Sequence, residues 1–82
     1  MSTENGSGPA QTYGQKAVGL SFNPSKDSSV DRFKQFYAHI IDDLNALRMG
    51  SEDPEVKRLC SVAITEAQSA QMWAVKAVTW KS

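Results

Sequence analysis

Apolar residues recur at helical spacing in two long stretches of the chain. In the first, intervals of three and four residues alternate, as in an a/d heptad seam, at Val30, Phe33, Tyr37, Ile40, Leu44 and Leu47. In the second, the same alternation carries mostly small side chains, at Val56, Cys60, Ala63, Ala67, Ala70, Ala74 and Ala77. Because a bulky seam and a small seam are complementary in packing, the pattern predicts two helices that pack against each other.

The residues that flank these stretches predict where each helix begins and ends. Helix one is expected from about residue 28 to residue 49, because Gly50 is well placed as its C-terminal stop. Helix two is expected from about residue 54 to residue 80, because Asp53 is a favourable N-cap and Pro54 suits the first helical position. The connection between them is short, so the two helices should be antiparallel.

The residues before helix one predict a tail and a short extended segment. Residues 1–15 are rich in Gly, Ser, Thr, Asn and Gln, and they cannot bury enough apolar surface to order themselves. We therefore expect a flexible tail that is disordered or is ordered by a ligand. In residues 16–27, Val18, Leu20 and Phe22 alternate with small residues, which predicts extended chain or a short strand.

The predicted fold is all-α, with one helical hairpin domain over residues 16–82 that assembles into a compact homo-oligomer. A core of this size supplies only about 3–5 kcal/mol, so a further source of stability is needed. Cys60 and His39 are the only Cys and His in the sequence, which excludes an internal disulfide and a zinc site built from one chain. Trp73 and Trp80 lie off the small seam of helix two and add apolar surface for contacts between subunits.

Charge and hydropathy exclude several classes of function. Nine Lys and Arg balance nine Asp and Glu, whereas a binder of DNA or RNA polymers usually has a basic excess. No apolar run approaches the ~20 residues of a membrane span, and the polar N-terminus does not look like a signal peptide. His39 has no Ser or Cys partner at a recognisable spacing, and no Gly-rich phosphate loop is present. We expect a non-enzymatic intracellular protein without a metal or cofactor.

The best candidate for a binding site is the turn before helix one. Phe22 offers an aromatic face, Asn23 offers donors and acceptors, and Ser25 and Lys26 offer donors suited to phosphate. The start of helix one adds free backbone N–H groups. An aromatic face beside phosphate donors fits a nucleotide. The alternative interpretation is a proline turn in which Phe22 closes the open end of the hairpin.

Several stretches of the sequence resemble the helical-hairpin family of phage anti-CBASS and anti-Thoeris proteins. They are GLSFNPS at 19–25, VDRFK at 30–34, TEAQ at 65–68 and AQMWAVKAV at 70–78, and the similarity covers residues 17–80. The resemblance implies a compact oligomer, commonly a hexamer, in the cytoplasm of the infected bacterium. It also implies a protein that sequesters cyclic dinucleotides, cyclic trinucleotides or cyclised ADP-ribose in pockets between subunits, without cleaving them.

The resemblance implies roles for particular residues. Phe22 would stack on a base, although several family members carry a tyrosine before the first long helix, and Tyr13 is the other match. Its polar and basic partners would be Asn23, Ser25, Lys26, Arg32 and Lys34. A second pocket would use Thr65, Gln68 and Lys76.

Two other functions stay open beside the sequestering protein. A helical oligomer of this kind can serve as an adaptor that binds a protein partner through Trp73 and Trp80. A small phage enzyme that degrades the messenger is the third possibility. Recovery of the ligand intact after binding separates the first function from the third, and absence of ligand uptake favours the adaptor.

Overall fold

The computed structural model describes residues 10–81, and that part of the chain contains three helices. In chain order they are α1 (Tyr13–Ala17), α2 (Ser28–Gly50) and α3 (Pro54–Val78). The two long helices form the arms of a hairpin, which confirms the predicted all-α hairpin fold. Of the predicted tail, residues 1–9 lie outside the described residues.

Aspartate caps begin both arms of the hairpin. The Asp27 carboxylate accepts a hydrogen bond from the Ser29 N–H at 2.8 Å, so α2 begins at the predicted place. The Asp53 carboxylate accepts a hydrogen bond from the Glu55 N–H at 2.9 Å, and Pro54 occupies the first helical position. Each cap satisfies a backbone donor that the first turn of the helix leaves unpaired.

Contacts at the two ends of the hairpin show that its arms are antiparallel. Near the connection, Arg48 Nη1 donates to the Ser61 hydroxyl at 2.9 Å, and Lys57 Nζ donates to the Arg48 carbonyl at 2.8 Å. At the opposite end, Val30 at the start of α2 and Val75 near the end of α3 line one cavity. The short connection therefore returns α3 along α2, as the sequence predicted.

A short helix stands where the sequence predicted tail and extended chain. Thr12 and Gln15 form a capping box: the Thr12 hydroxyl accepts from the Gln15 N–H at 3.0 Å, and Gln15 Oε1 accepts from the Thr12 N–H at 2.9 Å. Gly19, at φ +63°, ends the helix in a Schellman motif. In it the Leu20 N–H donates to the Gln15 carbonyl at 2.9 Å and the Gly19 N–H donates to the Lys16 carbonyl at 3.1 Å. The extended segment predicted before α2 is therefore wrong, because these local caps favour one helical turn.

The three helices share one small core. Its buried members are Val18, Ala38, Ile41 and Ile64. Val18 follows directly after α1, so the segment predicted to be extended supplies a core residue. α1 thus adds a third helix to the hairpin and buries apolar surface that two arms alone would leave in water.

Backbone contact fixes α1 to both arms. The buried Gly14 donates its N–H to Asp42 Oδ1 on α2 at 2.7 Å. A Cβ at Gly14 would collide with the carbonyl oxygen of Ala38 and lie 2.9 Å from Asp42 Oδ1, so only glycine allows this approach. On the other arm, Gln68 Nε2 donates to the Ala17 carbonyl at 3.1 Å.

The buried face of α2 differs from the predicted heptad seam. The buried residues of this helix are Val30, Lys34, Ala38 and Ile41. Two residues of the predicted seam, Ile40 and Leu47, are instead 45% and 55% exposed. The predicted seam is only partly correct because α1 also packs on α2. The close approach of Gly14 to Ala38 buries the side of α2 that carries Ala38.

The small seam predicted on α3 is also only partly correct. The buried residues of α3 are Cys60, Ile64 and Gln71. Of the alanines, Ala77 is exposed and the others are partly buried, so the alanine stripe lies along the edge of the buried face. The buried face itself is centred on Ile64 and Gln71, which are bulkier than the alanines of the predicted seam.

The opposite side of α3 exposes large apolar side chains. Leu59, Val62, Trp73 and Trp80 occupy heptad-spaced positions and are 52%, 46%, 67% and 66% exposed. At about 100° per residue Leu59, Val62 and Trp73 lie on the side of the helix opposite Ile64, and Trp80 stands two residues beyond the end of the helix; we call these four residues the outward face of α3. In the described part of the chain, no helix has the length and hydropathy needed to cross a bilayer.

Candidate functional site

Phe22 stands at the open end of the hairpin, between two cavities. Its side chain is 71% exposed. The first cavity, of about 260 Å³, is called the turn cavity, and its lining is Phe22, Asn23, Pro24, Ser25, Val30, Lys34, Val75 and Thr79. The second, of about 480 Å³, is called the α1 cavity, and its lining is Lys16, Ala17, Val18, Gly19, Phe22, Lys34, Gln71, Met72 and Val75. Because Phe22, Lys34 and Val75 line both, the two cavities are adjacent, and together we call them the groove.

Lys34 brings a positive charge to the centre of this groove. The residue is only 5% exposed, and its Nζ lies 5.5 Å from the centre of the Phe22 ring. Nζ donates to the carbonyl oxygens of Gly19, at 2.9 Å, and of Phe22. An ammonium group has three donors, so one remains for another acceptor. Among residues 10–81, no carboxylate lies within 4.0 Å of this ammonium.

Hydrogen bonds within the turn use the polar groups of Asn23. Its Oδ1 accepts from the Ser25 hydroxyl at 2.7 Å and from the Lys26 N–H at 3.0 Å. Its Nδ2 donates to the Asp27 carbonyl at 3.0 Å and to Asp31 Oδ1 at 2.9 Å. Asn23 and Ser25 therefore shape the turn in this structure, and their contact with a ligand stays a prediction.

Lys26 stands at the tip of the same turn with a left-handed backbone. Its φ of +56° is the single positive value among the non-glycine residues that the structure describes. A side chain at such a φ carries a steric cost that glycine avoids. The exposed Lys26 side chain belongs to the turn but does not line either cavity.

The structure brings together four of the predicted site residues. Phe22, Asn23, Ser25 and Lys34 line the turn cavity. The remaining first-pocket candidate on α2, Arg32, lies outside both cavities, with its guanidinium 5.6 Å from the centre of the Phe33 ring. A role for Arg32 in holding phosphate stays a prediction, because a single chain does not bring Arg32 into either cavity.

The three residues predicted for a second pocket lie apart from one another. Thr65 lines an open groove of about 280 Å³ with Arg58 and Glu66. Gln68 is engaged with the Ala17 carbonyl, which gives it a structural role in this fold. The Nζ of Lys76 lies 5.8 Å from the centre of the Trp80 ring, on the exposed side of α3.

Tyr13 lines neither the turn cavity nor the α1 cavity. The Tyr13 ring is 47% exposed, and its centre lies 5.5 Å from the Arg48 guanidinium carbon. Tyr13 begins α1 whereas Phe22 follows its end, so the two rings lie towards opposite ends of the short helix. Each ring has a cation beside it, and either can stack on a base.

Sequence reasoning missed Gln71 as a residue of the groove. It is 6% exposed and lines the α1 cavity. Its signal was its spacing, because it follows Ile64 by seven residues and Ala67 by four, on the face that turns inward. Within residues 10–81, no cluster of three or more His, Cys, Asp or Glu stands in position to hold a metal ion.

The chain matches the model of a known protein family. The model of a protein family described as "Acb2/Tad1, hairpin domain" matches residues 15–79, which include most of α1, the Phe22 turn and both arms. No curated protein and no solved structure matches the chain.

Proposed function

This chain belongs to the Acb2/Tad1 hairpin family, whose members help phages to evade bacterial immunity. We propose that it binds a cyclic nucleotide messenger in the groove around Phe22. The protein holds the messenger without cleaving it, so the effector of the host is not activated. The ligand class comprises cyclic dinucleotides, cyclic trinucleotides and cyclised ADP-ribose.

The observation that carries this proposal is the pairing of Lys34 with Phe22. A nearly buried ammonium that faces only carbonyl oxygens is incompletely compensated, and an anion beside it would supply the missing charge. The exposed ring 5.5 Å away offers a stacking surface for a base. Phosphate and base are the two parts that every ligand in this class contains.

Assembly of several copies completes the proposed site. The outward face of α3 is too apolar to be left in water, and exposed surfaces of this kind commonly form protein interfaces. We propose a homo-oligomer, with a hexamer favoured, that buries this face. In such an assembly Lys76, Arg32 or Thr65 of one subunit can reach the groove of a neighbour, which would bring together the residues that one chain keeps apart.

The affinity required is within reach of these groups. A sequestering protein works when its sites outnumber the messenger and its Kd lies below that of the effector. A nanomolar Kd corresponds to about −12 kcal/mol. Stacking contributes roughly 1–3 kcal/mol per base, and charge-assisted phosphate contacts add to it when the groove is formed before binding.

Calorimetric titration with cyclic di- and trinucleotides and cyclised ADP-ribose tests the proposal. We expect saturable binding of at least one ligand, and recovery of that ligand chemically intact after heat denaturation of the protein. Chemically altered ligand would replace the proposal with an enzyme. Binding of none of the ligands would overturn it and favour an adaptor that binds protein through Trp73 and Trp80.

The variant Phe22→Ala locates the binding site. We expect Kd to rise about 5- to 150-fold, the equivalent of losing 1–3 kcal/mol of stacking. Phe36→Ala is the matched control, because Phe36 is 59% exposed and lines neither cavity. Light scattering on both variants checks that assembly is retained. An unchanged Kd for Phe22→Ala would remove the ring from the site.

A further inference from the structure

The buried amide of Gln71 has no partner among the described residues. Only 6% of the residue is exposed, yet its side chain makes no hydrogen bond to any of residues 10–81. An unpaired buried amide costs about 1–3 kcal/mol, so a buried amide normally has a partner. Gln68, one turn earlier on α3, shows the contrast, because its amide is bonded to the Ala17 carbonyl.

The place of Gln71 indicates what its partner is. It lines the α1 cavity with Phe22 and Lys34. The cavity of about 480 Å³ falls within the range of small-molecule sites. A planar group that stacks on Phe22 can direct one edge towards α3, where the carboxamide offers a donor beside an acceptor.

We propose that Gln71 is the specificity-determining residue of the groove and that it reads the edge of an adenine base. Adenine presents the N6 donor beside the N7 acceptor, and a glutamine amide pairs with both at once. The corresponding edge of guanine presents two acceptors, which suit a cation rather than an amide. The nearby cation, Lys34, has one donor left beside its bonds to the carbonyls of Gly19 and Phe22, and the proposed function uses that donor for phosphate. This inference rests on the proposed function and adds to it a preferred base.

Gln71→Met tests the role of the amide with little change in side-chain volume. We expect the Kd for cyclic di-adenylate to rise about 10- to 100-fold, since a bidentate pair discriminates by roughly 1–3 kcal/mol. The Kd for cyclic di-guanylate should change less than about threefold on the same basis. The midpoint of thermal unfolding should not fall, because the substitution removes an unpaired buried amide. Gln35→Met is the control, since Gln35 is exposed and lies outside the α1 cavity.

The outcomes separate this inference from the proposed function. Equal loss of affinity for both ligands, or no loss for either, would overturn the adenine-reading role while leaving the binding protein intact. A native protein that binds only cyclic di-guanylate would do the same. A native protein that binds no cyclic nucleotide would overturn the proposed function, and the inference with it.

Discussion

The backbone N–H of Gly14 donates a hydrogen bond to the carboxylate of Asp42 at 2.7 Å, although 28 residues separate them in sequence. This bond forms where α1 lies directly against the backbone of α2. The position of α1 in turn sets the α1 cavity, because the residues that end this helix line its wall.

Gly14→Ala should therefore undock α1. The added methyl group would collide with the Ala38 carbonyl, and overpacking of this kind costs about 1–3 kcal/mol. Urea denaturation should show this loss, and hydrogen exchange should show lost protection of the Leu20 N–H while the centre of α3 stays protected. Gly50→Ala is the control, because no atom lies within 4 Å of the added Cβ. That variant should gain up to about 1 kcal/mol from helix propensity. Equal stability of the native and Gly14→Ala proteins would contradict the close packing.

Lys34→Met should lower both stability and affinity. The substitution leaves the carbonyls of Gly19 and Phe22 without their donor, which costs about 1–3 kcal/mol, and it removes the charge proposed to hold phosphate. Chemical denaturation and calorimetry measure the two effects. Lys57→Met is the control, because Lys57 is exposed and also donates to a carbonyl. Its free energy of unfolding should stay within about 0.5 kcal/mol of the native value. A Lys34→Met protein that binds as tightly as the native one would show that this charge does not hold the ligand.

Lys26→Gly should stabilise the fold. A non-glycine residue with a left-handed backbone costs about 1–2 kcal/mol, part of which is offset by the greater freedom of glycine in the unfolded chain. We expect a net gain of about 1 kcal/mol in urea denaturation. Lys26→Ala keeps the unfavourable conformation and should show no such gain. If Lys26 also holds phosphate, ligand affinity falls in both variants to the same extent, whereas stability rises only in the glycine variant.

Glu55→Gln should alter how stability depends on pH. The Arg58 guanidinium donates to the Glu55 carboxylate and lowers its pKa from the ordinary value of 4.5. A lowered pKa in the folded state gives stability that is present above pH 4.5 and is lost as the pH falls through the folded value. The midpoint of thermal unfolding of Glu55→Gln should thus lie slightly below that of the native protein at pH 7. The difference should vanish in stronger acid; a difference that grows on acidification would contradict this sign.

The two arms could be predicted because their signals are local. Proline at the first helical position, an aspartate cap and a helical repeat each act within a few residues, and α3 begins where those signals placed it. The start of α2 also agrees with the prediction, although its cap, Asp27, was not among the predicted signals. The buried faces were predicted less well, since a heptad pattern does not reveal which of several apolar faces meets a neighbour. The docking of α1 on α2 decides that question, and docking depends on residues far apart in sequence.

The segment before α2 shows why the remainder escaped prediction. Alternation of Val18 and Leu20 indicated extended chain, whereas Thr12, Gln15 and Gly19 carried the caps of a helix. The capping box was present in the sequence, but a helix of five residues has too short a repeat for periodicity to reveal. After its glycine cap, Leu20 packs against the core and Phe22 is exposed.

The site was predicted best where it is a single turn of chain. Phe22, Asn23 and Ser25 are neighbours in sequence, and they share a cavity with Lys34 two turns into α2. The sequence did not reveal that the Asn23 side chain is used in hydrogen bonds within the turn. Its four hydrogen-bond partners come together around one side chain only after folding. Gln71 was missed for the same reason: its burial is a property of the packed helices.

The rim of the groove, formed by residues 21–27, differs in burial from its floor, formed by Lys34 and Gln71. No residue from 21 to 27 is buried, so side chains there that neither cap α2, as Asp27 does, nor bond the turn, as Asn23 does, can change at little cost to stability. Lys34 and Gln71 lie inside the packing of the helices, where substitutions act on folding as well as on binding. Under the proposed function, a lineage that meets hosts with different messengers can therefore diversify Phe22 and its exposed neighbours first, whereas a change at Lys34 would require compensation for the carbonyls left without a donor.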